Sequence, residues 1–113
     1  MKKADWELLT RITENILSRL DDESLSGAQV AAAVSISEMQ LYRKLKGLIE
    51  MTPTEYIRSL RLERAAQMLK TSNKTVQEIM YSCGFVTKTY FFREFARRYG
   101  MSPGEYRRTR ETT

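Results

Sequence analysis

The sequence predicts an all-α fold of seven helices, and three observations lead to that prediction. Apolar residues recur at three- and four-residue steps, which is the spacing of one helix face. A Ser or Thr followed three residues later by Glu or Gln, the pattern of a helix capping box, marks the start of five apolar-periodic runs. Both prolines directly follow such a Ser or Thr, at the first helical position, where proline is well tolerated. The predicted helices span residues 4–21, 27–34, 38–49, 53–71, 76–83, 88–99 and 103–109.

The first predicted helix is recognised by its apolar stripe. The stripe consists of Trp6, Leu9, Ile12, Ile16, Leu17 and Leu20. The acidic run Asp21-Asp22-Glu23 follows the stripe, so we expect the helix to end at residue 21 and a short loop to follow.

The later helix starts are recognised by their capping boxes. The box pairs are Ser26–Gln29, Ser37–Gln40, Thr52–Glu55, Thr75–Glu78 and Ser102–Glu105. In such a box two backbone N–H groups at the helix start are satisfied reciprocally. The helix 88–99 begins without a complete box, and Gly100 marks its end as a typical residue after a helix C-terminus.

The second half of the chain repeats the first. At a shift of 50 residues, 41–45 (LYRKL) lies over 91–95 (FFREF), and 51–56 (MTPTEY) lies over 101–106 (MSPGEY). Upstream the shift is 49, which predicts one extra residue in the second copy, around Gly84-Phe85. Each copy is a short helix, a tight turn and a longer helix. This is the helix-turn-helix layout, whose second helix enters a DNA major groove.

We therefore predict one domain, 1–113, organised around two helix-turn-helix units. The first unit spans 22–51, a linker helix spans 52–72, the second unit spans 73–101, and a terminal helix spans 102–110. The joining helix is roughly 27 Å long at about 1.5 Å per residue. Two recognition helices on such a strut fit successive major grooves, which are ~34 Å apart. A purely structural solenoid is the alternative, but solenoids need about three or more repeats.

Charge is distributed unevenly along the chain. The net charge is +5, with six acidic and four basic residues in 1–36 but eight acidic and fifteen basic residues in 37–113. A basic balance concentrated in part of a small domain suggests a polyanion as partner. A solvated surface with surplus Lys and Arg is the simpler alternative.

Composition also excludes several classes of chemistry. The sequence has no His and a single Cys, Cys83, so it offers neither a zinc cage nor a histidine base for a nucleophile. It also has no Gly-rich phosphate loop. We therefore expect no enzyme, no cofactor and no metal. No apolar run approaches the ~20 residues of a membrane span, and the N-terminus does not read as a secretory signal. The single cysteine favours the reducing cytoplasm.

Three stretches of the sequence carry a family resemblance. They are 41–46 (LYRKLK) with 52–58 (TPTEYIR), then 61–66 (RLERAA), then 83–85 (CGF) with 90–95 (YFFREF) and 100–107 (GMSPGEYR). With these motifs and spacings, residues 10–110 resemble the AraC/XylS family of bacterial transcription regulators. The LYRKLK wording and the acidic lead-in helix resemble the output domains of hybrid two-component regulators. Three residues depart from the family pattern: Met80 where Ala is usual, Glu50 where Gly is usual, and Ala96 where Lys is common.

The resemblance implies a set of partners. Double-stranded DNA is the expected ligand, and RNA polymerase is an expected partner of the full-length regulator. We expect a cytoplasmic, nucleoid-associated location, no membrane contact by this segment, and a domain that is monomeric by itself.

Recognition-helix residues are the candidate DNA contacts. The predicted base-reading residues are Met39, Gln40, Tyr42, Arg43, Lys88, Thr89, Phe92 and Arg93. The predicted phosphate contacts are Ser37, Lys46, Thr87, Arg97, Arg98, Arg107 and Arg108. Arg43 leads the first set because a guanidinium matches guanine O6 and N7 bidentately, and Arg93 repeats its position. The basic cluster suits phosphate contacts, which position a protein without specifying sequence.

Other functions fit parts of the sequence. The basic face suits an acidic protein partner, and Cys83 is a possible nucleophile, although no base accompanies it. The aromatic residues between Tyr81 and Tyr99 suit single-strand stacking, but their helical spacing favours a core. RNA duplexes are disfavoured because their major groove is too narrow to be read.

Overall fold

The structure is a computed structural model that describes residues 2–112. These residues form seven α-helices and one 3-10 helix, which confirms the predicted fold class. The α-helices are α1 (Lys3–Leu17), α2 (Gly27–Ala33), α3 (Glu38–Ile49), α4 (Pro53–Thr71), α5 (Val76–Ser82), α6 (Lys88–Tyr99) and α7 (Pro103–Arg108), and the 3-10 helix is Thr109–Thr112. The bounds of α2 to α7 agree with the predicted bounds to within one residue. Among these helices, none has the length and apolar character that crossing a membrane requires.

The first helix is shorter than predicted. It ends at Leu17 rather than at residue 21. The Ser18 hydroxyl donates to the Asn15 carbonyl at 2.8 Å, and the Arg19 N–H donates to the Ile16 carbonyl at 3.0 Å. Bonds of this three-residue span tighten the chain into a turn, and a serine that bonds to nearby backbone competes with the helix.

Capping boxes fix the helix starts. Both hydrogen bonds of the box are present at Ser37–Gln40, Thr52–Glu55 and Thr75–Glu78. The bonds from the Thr52 and Thr75 backbone N–H groups hold the pKa of Glu55 and Glu78 below the ordinary carboxyl value. At Ser102 the hydroxyl instead donates to Glu105 Oε1 at 3.0 Å while accepting from the Glu105 N–H at 3.2 Å.

The chain divides into two units within α4. One unit contains residues up to 20 together with 24–60, and the other contains 21–23 together with 61 onwards. The first unit encloses a core whose most deeply buried side chains are Ile12, Ile16, Val30, Leu41 and Leu45. The corresponding side chains of the second unit are Leu69, Ile79, Cys83, Phe91 and Phe95. Each helix-turn-helix therefore has a core of its own.

Aromatic rings form much of the second core. The ring centroid of Phe91 lies 4.8 Å from that of Phe85 and 5.8 Å from that of Phe95. Phe95 in turn lies 4.6 Å from Tyr99 and 5.4 Å from Tyr106. These separations are typical of packed aromatic pairs. The aromatic residues are thus mostly core, as the helical spacing indicates, and they anchor α6 and α7 in the second unit.

Candidate nucleic-acid interface

The turns of the two units are closed by the same backbone hydrogen bond. In the first unit the Ile36 N–H donates to the Ala31 carbonyl at 3.0 Å. In the second the Phe85 N–H donates to the Met80 carbonyl, also at 3.0 Å. Ala31 and Met80 lie near the ends of α2 and α5, so each turn closes back on its short helix. The internal repeat is therefore a repeat of local geometry as well as of sequence.

The extra residue of the second copy is Val86. Ser37, which caps α3, directly follows Ile36, whereas Val86 separates Phe85 from Thr87, which caps α6. The sequence prediction placed the insertion around Gly84-Phe85, and this is wrong by one position. The common turn uses Phe85 as its last residue, so the added residue has to follow it. Val86 is 56% exposed, at the start of the second recognition helix.

The first recognition helix, α3, exposes every base-reading residue predicted on it. Leu41 and Leu45 are buried. The exposed side chains include Met39, Gln40, Tyr42, Arg43 and Lys46. The helix therefore has an apolar face toward its own core and a polar, basic face toward solvent.

Two local bonds restrain residues on that exposed face. Gln40 Oε1 accepts from the Ser37 N–H at 2.8 Å, so the capping box engages its carbonyl oxygen and leaves its NH2 group as a donor. Arg43 Nη2 lies 3.2 Å from Met39 Sδ, which is a weak acceptor. Met39 and Arg43, two of the predicted base-reading residues, are thus in contact on the exposed face of α3.

Lys44 is a cation of α3 that the sequence reasoning did not single out. Its Nζ lies 3.1 Å from Asp5 Oδ1 of α1. The pair joins two helices distant in sequence, so no local pattern identifies it.

The second recognition helix, α6, exposes Lys88, Thr89 and Arg93, while Phe92 is half-buried. Lys88 Nζ lies 5.4 Å from the centroid of the Phe92 ring, within the range of a cation–π contact. Both side chains line a cavity of about 180 Å³ between α5 and α6, whose other lining residues are Val76, Gln77, Met80 and Tyr81. A substitution of Lys88 or Phe92 therefore changes the surroundings of the other residue as well as its own contacts.

Two arginines of α6 share one buried acid. Glu94, only 6% exposed, accepts a hydrogen bond from Arg93 Nε at 3.4 Å. The same oxygen, Oε2, lies 3.5 Å from Arg97 Nη1. The sequence reasoning missed Glu94, although its three-residue spacing from Arg97 is that of a helix ion pair.

Five of the predicted phosphate contacts have side chains that face solvent, whereas Arg98 and Arg107 bind other parts of the protein. Exposed side chains that remain accessible belong to Ser37, Lys46, Thr87, Arg97 and Arg108. The Ser37 hydroxyl accepts from the Gln40 N–H, whereas Thr87 has no side-chain capping bond. Arg98 pairs with Glu63 of α4, at 2.7 Å from Nη2 to Oε1.

Arg107, another predicted phosphate contact, donates hydrogen bonds within the protein. Its Nε donates to the Leu69 carbonyl at 3.1 Å and its Nη2 donates to the Ser72 carbonyl at 3.3 Å. Arg110 Nη1 donates to the same two carbonyls, at 3.1 and 2.9 Å. Two guanidinium groups thus satisfy carbonyls at the C-terminal end of α4, where positive charge is favourable.

Cys83 is buried in the second core and was the one candidate nucleophile. Burial raises the pKa of the Cys83 thiol to about 11, so the thiolate that a nucleophile requires is scarce at neutral pH. Among the side chains that the structure describes, no group of three or more Cys, Asp or Glu is arranged to hold a metal ion.

Comparison with known proteins places the chain among regulators. A family model described as "Helix-turn-helix domain" matches residues 30–109, which include both turns and both recognition helices. The HTH-type transcriptional regulator MtrA of Neisseria gonorrhoeae is 33% identical over 100 residues. The match covers 88% of this chain but only 33% of MtrA, so the chain spans about a third of that relative's length.

Solved structures have the same fold. An AraC-type transcriptional regulator from Chromobacterium violaceum superposes with a TM-score of 0.89 at 28% identity, covering 96% of each chain. The C-terminal domain of AraT, a response regulator from Geobacillus stearothermophilus, gives 0.82 at 28% identity, covering 91% of this chain and 85% of that one. The DNA-binding domain of the global transcriptional factor AdpA, solved in complex with a target DNA, gives 0.80 at 27% identity, covering 89% and 90%.

The duplicated turns, the two exposed basic helices and these matches agree with one another. The chain belongs to the AraC/XylS family of helix-turn-helix transcription regulators.

Proposed function

We propose that this chain is the sequence-specific, double-stranded DNA-binding domain of a bacterial transcription regulator. The observation that carries the proposal is the repeated turn, which in each unit presents a 12-residue helix with a buried apolar face and an exposed basic face. With its side chains an α-helix is about 10–12 Å in diameter, which matches the ~12 Å width of a major groove. The similarity to the AdpA domain, which was solved with DNA, supports the same assignment.

In the proposed complex, α3 and α6 each enter a major groove with their N-terminal halves toward the base edges. Arg43 and Arg93 bind guanine O6 and N7 bidentately. Apolar atoms of Met39, Tyr42 and Phe92 contact thymine methyl groups, and Gln40, Lys88 and Thr89 complete the base-reading set.

Phosphate contacts position the two helices. We assign them to Ser37, Lys46, Thr87, Arg97, Arg98 and Arg108. Arg107 is left out because its guanidinium already satisfies carbonyls of α4. Arg98 has to exchange its bond to Glu63 for a phosphate, which reduces the net gain from that contact.

We further propose that the chain acts within a longer regulator, because it spans only a third of MtrA. Its similarity to the response-regulator domain of AraT favours a two-component system. Contact with RNA polymerase belongs to that full-length protein. The domain by itself is a monomer in the cytoplasm, associated with the nucleoid, and has no catalytic activity.

The test is selection of bound duplexes from a random DNA library, followed by affinity measurements on the preferred duplex. We expect an enriched sequence that the purified domain binds at least about a thousandfold more tightly than random duplex. For the arginine variants described in the Discussion, Lys3→Ala is the control for the loss of one positive charge. Lys3 lies on α1, outside both recognition helices, and pairs only weakly, at 4.0 Å, with Glu7. Failure to enrich any sequence would favour the acidic-protein alternative, which binding to acidic peptides in place of DNA would then establish.

A further inference from the structure

We propose that Glu94 is a positioning residue that holds Arg93 and Arg97 in the geometry for DNA and makes the second unit the more selective of the two. This inference rests on the proposed function, because it concerns how α6 reads DNA. It is carried by the carboxylate that lies between the two arginines and by its absence from the first unit.

The carboxylate connects the core of the second unit to its exposed basic face. Glu94 is 6% exposed, while the side chains of Arg93 and Arg97 are 57% and 71% exposed. One oxygen, Oε2, contacts both guanidinium groups, at 3.4 Å from Arg93 Nε and 3.5 Å from Arg97 Nη1. Because the Glu94 carboxylate is buried, it moves little, and its hydrogen bonds restrict the motion of the Arg93 and Arg97 guanidinium groups.

A second contact restrains Arg93. The central carbon of its guanidinium lies 5.3 Å from the centroid of the Tyr90 ring, one turn earlier on α6. A guanidinium held at Nε and beside a ring retains the four donor hydrogens of its two Nη nitrogens. Those donors form the fork that matches two acceptors on one guanine edge. Fixing the fork before binding reduces the entropy lost when it meets the base.

The acid also changes the electrostatics of α6. Arg93, Arg97 and Arg98 place three positive charges within six residues, and like charges at a four-residue spacing repel. Glu94 offsets one of these charges. A helix with less net charge gains less from any phosphate backbone, whereas its oriented fork still gains fully from the correct base. Glu94 therefore lowers the affinity of α6 for any DNA and increases the difference in affinity between the correct base pair and the others.

The first unit has the opposite arrangement. The position equivalent to Glu94 is Lys44, an exposed cation paired with Asp5 at 3.1 Å. Arg43, the equivalent of Arg93, has Nη2 3.2 Å from the weak acceptor Met39 Sδ. Unit one thus adds a positive charge where unit two adds a negative one, and it restrains its leading arginine less.

The experiment compares Glu94→Gln with Glu78→Gln on the selected duplex, on its variants at the base pair read by Arg93, and on random duplex. Glu78 is an exposed acid of the same unit whose capping bond a glutamine oxygen also accepts, so both variants lose one negative charge. Both should bind random duplex somewhat more tightly. Only Glu94→Gln should lower the preference for the correct base pair, by roughly three- to tenfold, a part of the value of one bidentate contact.

A double-mutant cycle separates positioning from general structural damage. In an Arg93→Ala background the effect of Glu94→Gln on base preference should disappear, because the restrained group is gone. If Glu94→Gln folds normally and keeps the full base preference, or loses it equally in both backgrounds, the proposal is overturned.

Hydrogen exchange of arginine side chains in the unmodified domain gives an independent readout. The Arg93 Nε–H should exchange more slowly than the Arg43 Nε–H, at least severalfold, because only the former donates to a buried carboxylate. Equal exchange rates would overturn the proposal that Glu94 positions Arg93, even if Glu94 variants do not fold. Absence of any selective duplex would instead remove the proposed function, while this measurement would still report on the positioning of Arg93.

Discussion

Glu50 and Gly100 occupy equivalent positions at the ends of the two recognition helices, and both have left-handed backbone, with φ of 59° and 76°. Each donates its N–H to the carbonyl four residues earlier, at 3.2 Å for Glu50 and 2.8 Å for Gly100. The same relationship recurs in the turns, where Ser35 (φ 60°) corresponds to Gly84 (φ 83°). The first unit thus uses a residue with a side chain wherever the second uses glycine. Left-handed backbone costs an L-residue about 1–2 kcal/mol, so the strain lies in the first unit.

Glu50→Gly should therefore stabilise the domain. We expect the free energy of unfolding to rise by roughly 1 kcal/mol, which is less than the full strain because glycine also increases the freedom of the unfolded chain. Urea denaturation followed by circular dichroism measures the change. Gly100→Ala is the reciprocal variant and should lose about as much, because no heavy atom lies within 4 Å of the added Cβ and only the backbone angle matters. A less stable Glu50→Gly variant would contradict this account.

Local signals predicted most of the fold. Capping boxes and proline at the first helical position are chemistry within four residues, and they located the start of α3 at Glu38 and of α4 at Pro53. At the position of Glu50 the family pattern usually has Gly. The helix nevertheless ends there in the left-handed conformation that glycine usually adopts. Glu50 therefore adopts the backbone conformation that this position of the fold requires, although its side chain disfavours that conformation.

Signals that depend on distant partners were harder to predict. Trp6 belongs to the apolar stripe of the first helix yet is 55% exposed, and Tyr81, expected in the core, is 52% exposed. A period identifies a helix face but not how much of that face another element covers. The role of Arg107 depends on carbonyls 35 and 38 residues away in the chain, which no local pattern reveals.

Adjacent arginines should have different effects when removed. Arg107→Ala should lower the melting temperature, because the part-buried carbonyls of Leu69 and Ser72 lose one of their two guanidinium donors and retain Arg110, at a cost of roughly 0.5–1.5 kcal/mol. Arg108→Ala, which removes an exposed side chain, should leave stability nearly unchanged. It should instead weaken binding to all duplexes alike and reduce the slope of log K against log salt by about one. Thermal unfolding and salt titrations of both variants measure the two effects. The reverse pattern would show that Arg107 is the phosphate contact.

Cys83 should resist alkylation in the folded domain. Because burial raises its pKa to about 11, the protonated thiol dominates at every pH below that value. The unfolded thiol ionises nearer its ordinary value of 9.0, so the preference for the folded state declines as pH rises from there toward about 11. We expect iodoacetamide at neutral pH to modify urea-unfolded protein far faster than native protein, as measured by mass spectrometry. Rapid modification of native protein would revive the nucleophile hypothesis.

The two leading arginines should each specify their own base. Arg43→Ala and Arg93→Ala should each lose ~1–3 kcal/mol of affinity for the preferred duplex. Each should relax the preference at a different base pair, because the residues belong to different recognition helices. Library selection with each variant identifies the position that loses its preference. If both variants retain the ratio of specific to non-specific affinity, neither arginine reads a base.

The recognition helices also make a prediction about the shape of the DNA site. At equivalent positions their exposed residues differ: Met39 against Thr89, Gln40 against Tyr90, Tyr42 against Phe92, and Lys46 against Ala96. Since base preference follows side-chain chemistry, the two units should read two unlike sequence boxes. One chain should therefore bind an asymmetric site rather than a palindrome.

The spacing of the boxes follows from the chain that joins the units. The helix α4 runs unbroken from Pro53 to Thr71, which is about 27 Å at about 1.5 Å per residue, and it contributes residues to both units. The sequence prediction that the two recognition helices enter successive major grooves implies boxes one helical turn apart, about 10 bp, on one face of the duplex. Hydroxyl-radical footprinting of the isolated domain should show two such protected patches. Substituting the whole exposed set of α6 by that of α3 should then make the two selected boxes alike, because the rest of each unit has the same turn. A symmetric palindrome occupied by two copies, each using one recognition helix, would contradict both the asymmetry and the spacing.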